Sequence, residues 1–94
     1  MENPLGKNRE KILDLAAKHG AHNVRVFGSA ARGKMGPNSD IDLLVDLEPD
    51  RSLFDLGALL MDLQDLLGCK VDVVTAASLH WYIRDQILAE AQPL

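Results

Sequence analysis

Two hydrophobic periods alternate along the chain, one of three to four residues and one of two. Over residues 7–19, Ile12, Leu13, Leu15, Ala16 and Ala17 recur at helical spacing, and Gly20 is a fitting C-terminal stop. Residues 23–27, "NVRVF", alternate Val24 and Val26 with Arg25 and Phe27, which predicts a short strand. "IDLLVD" at 41–46 predicts a second strand, with Ile41, Leu43 and Val45 on one face and Asp42, Leu44 and Asp46 on the other. The clearest helix signal follows. Ser52 and Asp55 are spaced as a capping box, Leu53, Leu56, Leu60, Leu63 and Leu67 follow at steps of three and four, and Gly68 ends the run. "KVDVVT" at 70–75 predicts a third strand, with Val71 and Val73 opposed to Asp72. A last helix is expected to start near Ser78 and to carry Leu79, Ile83 and Ile87 on one side.

The order α-β-β-α-β-α predicts an α/β (α+β) fold, a small mixed sheet of about three strands packed with helices. The second and third strands, joined through a helix, should run parallel by a right-handed crossover. With 94 residues the chain is expected to be one domain, 1–94, and an apolar fraction of 47% is that of a globular protein. Ten basic residues against fourteen acidic ones leave a net charge of −4 with no basic block, which argues against a direct nucleic-acid partner. No apolar run is long enough for a membrane span, and "MENPLGKNREK" lacks the apolar centre of a signal peptide. Cys69 stands alone and cannot form an internal disulfide, so a cytoplasmic location is expected.

The candidate chemistry lies in residues 28–42, "GSAARGKMGPNSDID". Gly28, Gly33 and Lys34 fit a phosphate-cradling P-loop, but Met35 replaces the required Ser or Thr, and "GPNS" follows where a helix should open. Asp40 and Asp42 begin a calcium-loop pattern, but Leu44 and Val45 stand where a ligand and glycine are needed. Both are rejected. Asp40 alone is explained as a turn residue. Asp42 and Asp72, each within a strand, are not, because aspartate is depleted there. Period-two geometry sets Asp40 and Asp42 on one face, and a parallel neighbour brings Asp72 beside them. Three such carboxylates repel one another, and two divalent cations about 3.5–4 Å apart would resolve the conflict. Asp40, Asp42 and Asp72 are therefore the candidate catalytic residues and metal ligands. Gly28 allows close backbone approach, and the Ser29 hydroxyl and neighbouring N–H groups suit phosphate oxygens. Arg32 and Lys34 are candidates to neutralise outer phosphates. Together these features point to phosphoryl or nucleotidyl transfer.

Gly28-Ser29, a gap of ten residues, Asp40-Ile41-Asp42 and then Asp72 in "VDVV" resemble the signature of nucleotidyltransferases of the DNA polymerase β superfamily. The whole chain is similar to the minimal nucleotidyltransferases, and "GSAARGKMGPNSDIDLLVDL" and "IRDQILAEAQPL" resemble their antitoxin branch. The resemblance implies a polymerase-β-like core and a hetero-oligomer with a small all-helical HEPN ribonuclease toxin. It implies silencing of that toxin by transfer of AMP from ATP to a tyrosine. Carried over, Gly28 and Ser29 hold the triphosphate, Asp40 and Asp42 bind both Mg2+ ions, and Asp72 completes the acceptor-side metal and helps deprotonate the attacking hydroxyl. Arg32 is assigned to the nucleotide on loop position and charge. Ala30 departs from relatives that carry a larger side chain there, which leaves base or acceptor preference open.

Other residues read as structural. His19, His22 and His80 lack metal-ligand spacing and suit the surface or helix ends. Trp81 and Tyr82 are expected as half-buried packing of the last helix. Phe54, Leu59 and Leu66 widen the leucine stripe, which fits either an interface or a helix buried on two sides. Cys69 is expected to be inert, and Asp46, Glu48 and Asp50 to form a solvated acidic edge. Two competing functions remain. One is an antitoxin acting by occlusion, against which three mutually repelling aspartates count. The other is transfer to RNA or a small molecule, disfavoured by the missing basic surface and the missing second domain.

Overall fold

A computed structural model describes residues 4–31 and 40–94. After a helical turn α1 (Pro4–Lys7), helix α2 (Arg9–Lys18) buries Ile12 and Ala16, one turn apart on a single face. The chain reverses at Gly20 (φ 77°) into strand β1 (Ala21–Phe27), two residues longer at its start than its alternation predicts. A second helical turn, α3 (Gly28–Ala31), leads away from β1, and strand β2 (Ile41–Leu47) returns antiparallel to it. Helix α4 (Leu53–Leu67) crosses back, and strand β3 (Val71–Thr75) lies parallel to β2, the predicted direction. A 3-10 turn (Ala76–Ser78), helix α5 (Trp81–Glu90) and a short strand β4 (Gln92–Pro93) complete the chain.

The sheet has four strands in the order β3-β2-β1-β4, one more than the alternation suggests. β4 is only a two-residue edge strand on β1, where Pro93 is tolerated because an edge position needs no outward donor. The main core lies on the face shared by α2 and α4. There Ile12, Ala16, Val24, Val26, Ile41, Leu43, Val45, Leu59, Leu63 and Val71 are almost fully buried. Fully burying each large aliphatic side chain contributes about 1.5–3 kcal/mol, so this layer carries the fold.

Three features depart from the sequence pattern. Leu44, on the face of Asp42, is also fully buried, because α3 and the 3-10 turn pack against β2 on that side and α5 packs on α3. The sheet is thus covered on both faces there. The last helix starts at Trp81 rather than near Ser78, which leaves Leu79 outside it. Trp81 and Tyr82 are 75% and 65% exposed rather than half-buried, and stack with His80 in a small ring cluster with centroids 4.3–5.9 Å apart.

The capping predictions for α4 hold in atomic detail. The Phe54 N–H donates to Ser52 Oγ (3.2 Å), the Ser52 N–H donates to the Asp55 carboxylate (3.0 Å), and Gly68 ends the helix in the left-handed region at φ 67°. The buried seam of α4 runs through Leu59 and Leu63, with Leu56, Leu60, Leu66 and Leu67 flanking it. Leu53 and Phe54 lie outside it, 77% and 90% exposed.

Candidate active site

Parallel pairing of β2 with β3 sets Ile41 opposite Val71, Asp42 opposite Asp72 and Leu43 opposite Val73. This register is the one that buries both apolar sets on the α2–α4 side; a slip of one residue would turn Ile41, Leu43 and Val45 outward. The same constraint brings the Asp42 and Asp72 carboxylates side by side on the opposite face. Asp40, one residue before β2 begins, joins them across the period of two. The hydrophobic faces fix the side of the sheet that the aspartates share, and the observed register brings them to one end of two adjacent strands.

The electrostatics agree. Asp42 is half-buried, and burial first, then the charges of Asp72 and Asp40, push its carboxyl above the ordinary value. Asp46 makes an instructive contrast on the same strand face. There Arg25 Nη2 donates to the carboxylate at 2.8 Å and Asn23 Nδ2 at 3.1 Å. The acid at the far end of β2 is neutralised; Asp42 faces other acids. Lys70, which sequence reasoning did not single out, lies 3.9 Å from Asp40, with both side chains well exposed. A pair this open contributes about 0–1 kcal/mol at most, and its only sequence signal is its place just ahead of β3. Among the described residues no three acidic, imidazole or thiol side chains close into a cation cage, so the aspartates are gathered without being drawn tight.

Gly28 supplies the other wall. Its φ is +70°, which L side chains rarely adopt, and a Cβ placed there would stand 2.5 Å from Asp42 Oδ2. A side chain at position 28 would therefore displace the central carboxylate. Ser29 follows in α3, but its side chain, like Arg32 and Lys34 entirely, lies outside the described residues. The expected histidine roles are structural here. His19, at the end of α2, pairs with Asp62 (2.7 Å), and His22 with Glu48 (2.7 Å). Glu48 and Asp46 thus form paired contacts rather than a purely solvated edge.

The donor set fits a hard divalent cation: carboxylate oxygens only, at one end of two adjacent strands, with mutual repulsion for a positive charge to relieve.

Comparison with known proteins gives the same direction. A family model described as a nucleotidyltransferase domain matches residues 9–94. A Methanocaldococcus jannaschii protein, provisionally named a protein adenylyltransferase, is 42% identical over 87 residues, which cover 93% of this chain and 94% of its own length. The protein adenylyltransferase MntA of Thermococcus cleftensis is 39% identical over 77 residues, covering 82% of this chain and 78% of that protein. A solved structure provisionally described as a minimal nucleotidyltransferase superposes with a TM-score of 0.87 at 49% identity, over 96% of this chain and 92% of that one. A crystal structure of a toxin–antitoxin with AMP-PNP contains a chain that superposes with a TM-score of 0.78 at 25% identity, over 92% of this chain and 71% of that one. No helix among the described residues is long and apolar enough to cross a membrane. The small mixed sheet and the matched sequence agree: this chain belongs to the nucleotidyltransferase domain family and is built on its minimal plan.

Proposed function

We propose that this nucleotidyltransferase transfers AMP from ATP to a tyrosine hydroxyl of a helical HEPN-type toxin, and that the modification silences the toxin. The observation that carries the reading is the in-register pair Asp42–Asp72, with Asp40 beside it and Gly28 holding the space in front of Asp42. The adenylyltransferase relatives and the toxin–antitoxin chain with AMP-PNP support it by likeness.

In this mechanism Asp40 and Asp42 would hold two Mg2+ ions, with Asp72 completing the acceptor-side position. When bound, Mg2+ supplies charge neutralisation along the triphosphate and a lowered hydroxyl pKa. Gly28 leaves room for the triphosphate against the central carboxylate, and Ser29 and Arg32 contact its phosphate oxygens. Asp72 lies on edge strand β3, and an acceptor would approach it from that edge. The tyrosine oxygen bonds to the α-phosphorus as the bond from that phosphorus to the bridging oxygen breaks. Pyrophosphate leaves in line, and Asp72 draws the hydroxyl proton away.

Toxin neutralisation by the Asp40→Asn/Asp42→Asn variant tests the reading. Toxin ribonuclease activity should persist with this variant, or with wild type lacking ATP, and disappear with wild type plus Mg-ATP. Silencing by the variant without nucleotide would replace transfer with occlusion.

A further inference from the structure

The face of α4 turned away from the core carries Phe54, Gly57, Ala58 and Met61 at steps of three, one and three, the spacing of a single helical stripe. All four residues are exposed, Phe54 at 90% and Met61 at 60%, and Leu53 beside them at 77%. Large exposed side chains collected on one stripe mark interaction surfaces, and aromatic residues and Met are enriched at interface centres.

Gly57 adds an independent observation. It stands in the interior of a fifteen-residue helix, where glycine is among the poorest formers. Among the described residues, its chain neighbours and the helix's own backbone aside, no atom lies within 4 Å of where its Cβ would be. Internal packing therefore does not require a glycine here. A notch of Gly57 and Ala58 between Phe54 and Met61 suits a second helix approaching closely from outside, its ridge seated between the two larger side chains.

The charges select the occupant. Every charged residue of α4 is acidic: Asp55, Asp62 and Asp65. Asp55 is engaged by Arg51 (3.4 Å) and Asp62 by His19 (2.7 Å), while Asp65 is exposed on the stripe itself, four residues after Met61. Two copies of this chain joined through α4 would oppose like charges. A partner helix with an apolar seam and Lys or Arg at its margins is complementary. We infer that this outer face of α4, across the sheet from the aspartates and remote from them, is a docking surface for an amphipathic, basic-rimmed helix of the protein that accepts the nucleotide, separate from the segment that presents the hydroxyl. The naming of that occupant rests on the function proposed above; the surface itself does not.

Gly57→Leu fills the notch with a better helix former at an exposed site, so the monomer should melt no lower than wild type. Phe54→Ser/Met61→Ser removes the anchors. With this chain and the helical toxin of the proposed function, calorimetry should show each variant weakening Kd by at least about tenfold. Wild-type affinity should also fall as salt rises. In the transfer assay the loss should appear in KM for the toxin, with kcat at saturating toxin and ATP affinity unchanged. A Kd within about twofold of wild type for both variants would overturn the docking surface, whatever the transfer assay gives. So would sedimentation showing that the chain alone dimerises and that Gly57→Leu dissociates the dimer. If wild type binds the toxin through this face but transfers nothing, the functional reading fails and the docking surface stands.

Discussion

Asp42 is where the needs of the fold and of the site oppose each other. Burial and two neighbouring carboxylates raise its pKa in the folded chain. A carboxyl with a raised folded pKa contributes its full stability below its unfolded pKa, and that contribution is lost as pH rises through the folded value. At neutral pH the ionised group therefore works against folding. Asp42→Asn should raise the melting temperature by on the order of a few degrees near pH 7 in chelator, and the gain should shrink toward about pH 4. A melting temperature at or below wild type would contradict the repulsion. Gly28→Ala should act on the same atom from the other side. Its Cβ would stand 2.5 Å from Asp42 Oδ2 at a φ that alanine resists, so nucleotidyl transfer should fall by at least about tenfold. Activity equal to wild type would remove Gly28 from the site. Both residues were legible in the sequence: an aspartate inside an apolar strand is out of place, and a glycine before a serine invites a close approach. The exposure of Trp81 and Tyr82 was not legible, because nothing in their spacing fixes which way the first turn of α5 faces.

At the level of elements, α4 holds the register on which the site depends, since β2 and β3 are joined through it. Its first turn is closed by the reciprocal Ser52–Asp55 bonds. Ser52→Ala should cost about 1 kcal/mol, a melting shift of about 4–8 °C in a chain this small. The cap also sets an acid limit. The Ser52 N–H, followed by Arg51, lowers the Asp55 pKa. A lowered folded pKa stabilises above the unfolded value and is lost as pH falls through the folded one. The difference between wild type and Asp55→Asn in chemical unfolding should therefore be full near neutrality and close below about pH 4. A difference that persists in acid would mean the cap does not act through the carboxylate. The cap and the αL stop at Gly68 were readable because each has a local chemical signature. β4 had none: two residues, one of them proline, carry no period, and only pairing with β1 makes them a strand. Leu44 shows the other limit, since alternation assigns it a face but cannot tell that α3 and the 3-10 turn cover that face.

On the scale of the whole molecule, the chain divides its surfaces between tasks. One face of the sheet is sealed by α2 and α4, and the other presents the aspartates at the end shared by β2 and β3. The aspartates lie beside β3, an edge strand of the sheet. Period-two alternation plus a parallel crossover was enough to put Asp40, Asp42 and Asp72 on one face of adjacent strands, because burying two apolar strands on one layer forbids a one-residue slip. Which molecule supplies the hydroxyl is a property of a surface, and surface patterning in one chain does not encode its partner by name. The direct measurement is the intact mass of the cognate helical toxin after incubation with this protein and Mg-ATP, with Asp40→Asn/Asp42→Asn as control. The account predicts a gain in whole AMP units with wild type alone, located on a tyrosine. An unchanged toxin mass, with the toxin bound and silenced, would contradict it.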